Sequence, residues 1–111
     1  MRMSNAKVPA AIRAREVFDN NGSTLLGARK FRGWGHLPEQ WREAYDTDRI
    51  AYWVYSYDTP IAWVHQDGGI EMPEARYSKV TLHHQKIVAE ALGLKVNPID
   101  WPLARPAMVT R

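Results

Sequence analysis

From Arg49 to Gln66 the chain reads RIAYWVYSYDTPIAWVHQ, two runs of β-branched, aromatic and small residues separated by a short polar break. Period-2 alternation places Ile50, Tyr52 and Val54 on one face and Ala51, Trp53, Tyr55 and Tyr57 on the other, so both faces are partly covered. Asp58, Thr59 and Pro60 carry turn chemistry, because Asp bonds its own backbone and Pro fixes φ while removing a ladder donor. Ile61, Trp63 and His65 then alternate against Ala62, Val64 and Gln66, and Asp67-Gly68-Gly69 supplies a second turn. A short third strand follows at Ile70 to Met72, stopped by Pro73. An antiparallel meander is the simplest topology for that order.

Helical spacing dominates later. His84, Ile87, Val88, Ala91 and Leu92 recur on one stripe, which predicts a helix over 81–92 with Thr81 as N-cap and Gly93 as its left-handed stop. Pro9 opens a predicted N-terminal helix running to Asp19, with Ile12, Val17 and Phe18 as apolar contacts and Asn21-Gly22 as its stop. Leu25, Leu26, Ala28 and Phe31 fit a strand within 23–32 that Gly27 interrupts, and a glycine there suggests a bulge or a close backbone approach. Gly33-Trp34-Gly35-His36 reads as a loop. Pro38 to Tyr45 reads as a short helix anchored by Trp41 and Tyr45, ending at Asp46-Thr47-Asp48. The expected fold is therefore α+β: an antiparallel sheet of three to four strands centred on the hairpin 49–66, with the helix 81–92 across it and short N-terminal helices. Residues 1–94 form the expected domain, its first residues mobile, and 95–111 a tail in which Pro98, Pro102 and Pro106 preclude regular helix.

Composition narrows the function classes. At 111 residues, 45% apolar and 24% charged, the chain suits one ordered domain. It has no cysteine, which excludes disulfides, thiolate nucleophiles and Cys-ligated zinc. No apolar run approaches the roughly 18 residues of a membrane helix, and no signal-peptide block opens the chain, so a cytoplasmic protein without membrane contact is expected. Net charge is +3 but uneven: 1–35 carries seven Lys/Arg against two Asp/Glu, 36–75 two against eight, and 76–111 six against two. That distribution fits an electrostatic footprint for phosphate, or self-association, as well as a mixed solvated surface.

Candidate chemistry is sparse. His83 and His84 lie about 100° apart on a helix, and Ile87 and Val88 occupy the places where a second metal ligand would stand one turn on, so no metal or other cofactor is expected. No serine sits in a nucleophile motif and the carboxylate pairs are solvated, so no catalytic residue is assigned and the protein is not expected to be an enzyme. Two readings of His84 stand side by side: a buried imidazole bonded to its neighbours, or one member of a polar pocket formed by Tyr55, Tyr77, Ser78, Thr81, His84 and Gln85 between sheet and helix start.

The words YSYDTPIAW (55–63) and YSKVTLHHQ (77–85) carry a resemblance. With the approach FRGWGHLPEQWREAYDTDRI, they are similar over about 31–92 to a family of small proteins of unknown function encoded by bacteriophages, plasmids and other mobile elements of actinobacteria. In that family the second word has two successive threonines. Here Val80 replaces the first, while Tyr77, Ser78, Thr81, His84 and Gln85 match. The resemblance implies an origin and a fold but no activity. A non-catalytic accessory protein that binds a macromolecule in the bacterial host cytoplasm is the resulting expectation. Nucleic acid is the first partner, through Lys7, Arg13, Arg15, Arg29, Lys30 and Arg32. The alternatives are a host-protein inhibitor or a homo-oligomer using Trp34, Trp41, Trp101 and the tail, and then a small-ligand-binding protein or enzyme.

Overall fold

Two seven-residue strands, β3 (Ile50–Ser56) and β4 (Thr59–His65), form the centre of the molecule in a computed structural model that describes residues 7–20, 24–43 and 49–103. Three further strands complete an antiparallel meander of five in sequence order: β1 (Phe18–Asn20) and β2 (Leu25–Ala28) before the hairpin, β5 (Ile70–Glu71) after it. The sheet is thus α+β and antiparallel as expected, but wider than three to four strands. β1 is the strand the pattern hides. Helix α1 covers only Val8–Arg13, because Arg15 takes a left-handed φ of 58° and turns the chain, so Phe18 continues as strand and Val17 lies 61% exposed. The proposed stop at Asn21-Gly22 lies outside the described residues, as do Asp46-Thr47-Asp48, Tyr45 and Pro106.

The hairpin loop is Tyr57-Asp58, with Thr59 and Pro60 already in β4. Proline is tolerated there because it sits at a register shift opposite Tyr55. That shift turns Ile61 to the same side as Ala62, and another between Ile50 and Tyr52 sends Ile50 to the opposite side from Tyr52 and Val54. Simple alternation therefore misplaces Ile50 and Ile61.

Both sheet faces are covered. On the first, α1 and α3 (Lys79–Ala91) bring Val8, Ala11, Ile12, Val88 and Ala91 onto Phe18, Leu25, Tyr52, Val54 and Val64. Helix α3 starts two residues earlier than the apolar stripe suggests, because Ser78 rather than Thr81 is the N-cap: its Oγ accepts from Thr81 N at 3.2 Å. Gly93, at φ 74°, ends it as expected. On the second face the segment from Arg29 through α2 (Glu39–Glu43) lays Leu37, Trp34 and Trp41 over Leu26, Trp53, Tyr55 and Trp63. A short 3-10 turn, Pro98–Asp100, leads to Trp101, which is buried. Arg76 holds this segment through Nε to Trp101 O and N to Pro102 O, both 2.8 Å, so Trp101 packs back on its own domain.

Candidate functional site

Alternation along β3 sends Ser56 to the same face as Tyr52 and Val54, where it meets the start of α3. Its Oγ lies 2.7 Å from His84 Nδ1 and 3.0 Å from Thr81 Oγ1, and Ser78 Oγ donates to Thr81 Oγ1 at 3.2 Å. A hydroxyl has one proton, so the simplest saturated chain runs from Ser78 to Thr81 to Ser56 to His84. It ends on Nδ1 as acceptor, which places the imidazole proton on Nε2. Burial, and then the neighbouring His83, push the His84 pKa below its usual 6.5, in keeping with a neutral ring.

This has a pH signature. The folded pKa lies below the unfolded one, so on acidification the unfolded chain takes up the proton first. Stability is then full above about pH 6.5 and is lost as pH falls through that value towards the folded pKa. Melting temperatures between about pH 8 and about pH 5 should fall more steeply for the native chain than for His84→Gln. Parallel curves for the two would contradict the assignment.

Above this chain of hydroxyls a cleft of about 360 Å³ opens, lined by His36, Ser56, Tyr57, Thr59, Tyr77, Ser78 and Thr81. Gly35 makes its far wall possible: at φ 54° its Cα lies so close to the hairpin turn that an added Cβ would collide with Asp58 O. His36 N donates to Thr59 Oγ1 at 2.9 Å, and Arg42 ties the same loop through Nε to Leu37 O and Nη2 to Gly35 O, at 2.9 and 3.3 Å. Tyr57 forms the rim. It is 48% exposed, takes a left-handed φ of 57°, and stands 6.2 Å, centroid to centroid, from the His84 ring. Tyr77 also lines the cleft, and its buried hydroxyl has no partner among the described residues. Burial raises its pKa to about 12, so it remains a donor at neutral pH.

The polar pocket read from the sequence is therefore partly assembled. Tyr77, Ser78 and Thr81 line the cleft, and His84 lies beneath it. Tyr55 is not there: its ring is on the second face, where its hydroxyl accepts from Arg32 N at 2.7 Å and reaches Gly33 O at 3.4 Å. Gln85 is buried, with Nε2 donating to Ala75 O at 2.7 Å. His36, Ser56, Tyr57 and Thr59 were missed, although serine and threonine flanking the turn of an otherwise aromatic hairpin are a readable signal.

The basic residues divide. Lys7 and Arg13 are exposed at the two ends of α1, whereas Lys30 and Arg32 are exposed in the segment leading to the second-face cover. Arg15 and Arg29 sit between, bonded to backbone carbonyls. Trp34 and Trp41 are half-buried in the second-face cluster, Trp34 edge-on to Phe31 at 4.9 Å and beneath Arg42 at 6.0 Å. Among the described residues no three His, Asp or Glu converge as a metal set, and no helix is long and apolar enough to cross a membrane.

No curated protein and no solved structure gives a significant match to this chain. The sequence profile of a family of unknown function, DUF8033, matches residues 3–98, which include every cleft residue and all elements from α1 through α3; the chain belongs to that family.

Proposed function

We propose that this is a non-catalytic binding protein whose cleft takes a neutral planar ring with hydrogen-bonding edges, such as a nucleobase or a phenol. The observation that carries this reading is Tyr77, which lines the recess together with His36, four hydroxyl side chains and the exposed Tyr57 ring, and whose buried hydroxyl is a donor without a partner among the described residues. Among the described residues the lining has neither carboxylate nor Lys or Arg, although the Arg42 charge is felt at Tyr77; that favours an uncharged ligand, and the volume falls within the roughly 300–1,000 Å³ of small-molecule sites. A two-residue hairpin loop requires a left-handed φ at its first position, and glycine would meet it without the about 1 kcal/mol of strain that the half-exposed Tyr57 carries, so it is the ring, not the turn, that favours tyrosine here. Binding rather than catalysis is favoured because Ser56 is 1% exposed, His84 is a weakened base, and no carboxylate bonds to His84 among the described residues.

The ring is carried by a larger partner in the host cytoplasm. That part of the reading is supported by the likeness of YSYDTPIAW and YSKVTLHHQ to proteins of actinobacterial phages and plasmids. Titrating uridine, adenosine and p-cresol into isotope-labelled protein tests the site. Saturable shifts centred on Tyr57, Tyr77, Ser78 and Thr81 are expected with at least one probe, weakened about five- to tenfold by Tyr77→Phe, the loss of one hydrogen bond. Shifts absent with all three, or unaffected by Tyr77→Phe, would contradict it.

A further inference from the structure

At the opposite end of the β3–β4 hairpin from the cleft, two more recesses meet at His65 and Gln66. The first, about 400 Å³, has Arg15, Arg29, Tyr52, His65 and Gln66 in its lining and, among the described residues, no carboxylate. The second, about 600 Å³, adds Arg49 and Asp67, whose Oδ1 accepts from Gly69 N at 2.8 Å.

The two arginines of the first recess, Arg15 half-buried and Arg29 exposed, are held by backbone carbonyls. Arg15 Nη1 donates to Ile12 O at 2.8 Å and Arg13 O at 3.3 Å, at the open C-terminal end of α1. The carbonyl of Arg15 in turn accepts from Arg29 Nε and Nη2, at 3.2 and 3.0 Å. Both guanidinium groups are thus positioned by carbonyls rather than by carboxylates, so neither charge is neutralised by its anchor. Each has five N–H donors, which leaves about three apiece for a ligand. Arg15 holds this place at a left-handed φ of 58°. It and Tyr57 are the two non-glycine residues with positive φ in the described chain, and each lines a recess at one end of the same hairpin. Acids are near: Glu71 is bonded to His65 at 2.5 Å, and the Glu16 charge acts on Tyr52 against those of Arg15 and Arg29.

We propose that this groove is a phosphate site, taking one phosphate group between the guanidinium groups of Arg15 and Arg29. A carboxylate is satisfied by one guanidinium fork; two forks with about six free donors suit the three or four oxygens of a phosphate. The phosphate belongs either to a small phosphorylated molecule or to a nucleic-acid strand. The site is separate from the cleft, so either one can fail without the other.

The test follows the Nε–H resonances of Arg15 and Arg29 in the full chain. Inorganic phosphate and a short single-stranded oligodeoxynucleotide are titrated separately, with sodium chloride at matched ionic strength as reference. Saturable shifts with at least one probe are expected. Response to phosphate alone assigns a small phosphorylated ligand; response to the oligonucleotide, weakening with salt, assigns a strand. Arg15→Gly suits the local φ and should keep the melting temperature close to native while lowering affinity about tenfold, and Arg29→Gln should do likewise. Lys86→Gln, on the exposed side of α3, removes one charge elsewhere and should change affinity less than twofold. No shift beyond the chloride reference with either probe would overturn the proposal. So would Lys86→Gln weakening binding as much as Arg15→Gly.

Discussion

Gly27→Val is expected to destabilise the domain by about 3 kcal/mol or more, a large share of the ~5–15 kcal/mol that holds a typical domain folded. Gly27 pairs with Phe18 of β1 on one side and Val54 of β3 on the other. Two aromatic rings lean over the place where its side chain would stand: an added Cβ would lie 2.2 Å from Tyr52 Oη and 2.5 Å from Phe18 Cε1. Neither ring can retreat easily. Phe18 is 1% exposed, and the Tyr52 hydroxyl donates to Glu16 O at 2.7 Å, fixing the α1–β1 connection to the sheet. Burial raises the Tyr52 pKa far above its usual 10.0, so this donor is not lost under mild alkaline conditions. Chemical denaturation would measure the loss. The mechanism has its own check, because Tyr52→Phe removes the nearest atom: Gly27→Ala together with Tyr52→Phe should cost less than the sum of the two single changes. Simple additivity would mean that the glycine is not there to admit that hydroxyl.

The same glycine shows what the sequence tells and what it leaves out. Its position in a strand-like run marks a close approach, and the approach is real. Nothing in the run says that Tyr52 and Phe18 make it, because both come from other strands. The hairpin and α3 are legible for the same reason: period-2 and 3.6-residue patterns are local, and long side chains repeat them many times. Strand β1 is not, since three residues carry too little period to compete with the helical reading from Pro9, and the turn at Arg15 needs a backbone conformation that no propensity favours.

The cleft is half legible. Ser78, Thr81 and His84 stand three residues apart from the N-cap into one helix, so spacing alone groups them, and Tyr77 immediately precedes that cap. Tyr55 does not belong with them, because parity along the strand assigns Ser56 to that face instead. His36 was out of reach, because it arrives through a loop seated on the hairpin turn by Gly35 and Thr59. Trp101 illustrates the same limit: its burial depends on Arg76, 25 residues away in sequence.

Tyr57→Gly carries the second large expected effect, and it falls on binding rather than on folding. Glycine adopts a left-handed φ without penalty, so about 1 kcal/mol of strain is relieved, while the greater freedom of glycine in the unfolded chain costs nearly as much. The Tyr57 ring is half-exposed and is outside both buried clusters, so its removal opens no cavity. Stability should therefore stay within about 1 kcal/mol of native. What is lost is the stacking surface at the mouth of the cleft, a contact of the kind that contributes about 1–3 kcal/mol between an aromatic side chain and a base. That corresponds to roughly 5- to 150-fold in affinity.

The most direct measurement is accordingly a paired one on native and Tyr57→Gly protein: a melting curve, and a titration with whichever ring probe binds the native chain. The account predicts near-coincident melting curves with binding weakened at least about fivefold. Unchanged affinity, or weaker binding accompanied by an equally large loss of stability, would contradict it, since Tyr57 would then be a structural turn residue and not the lip of a binding site.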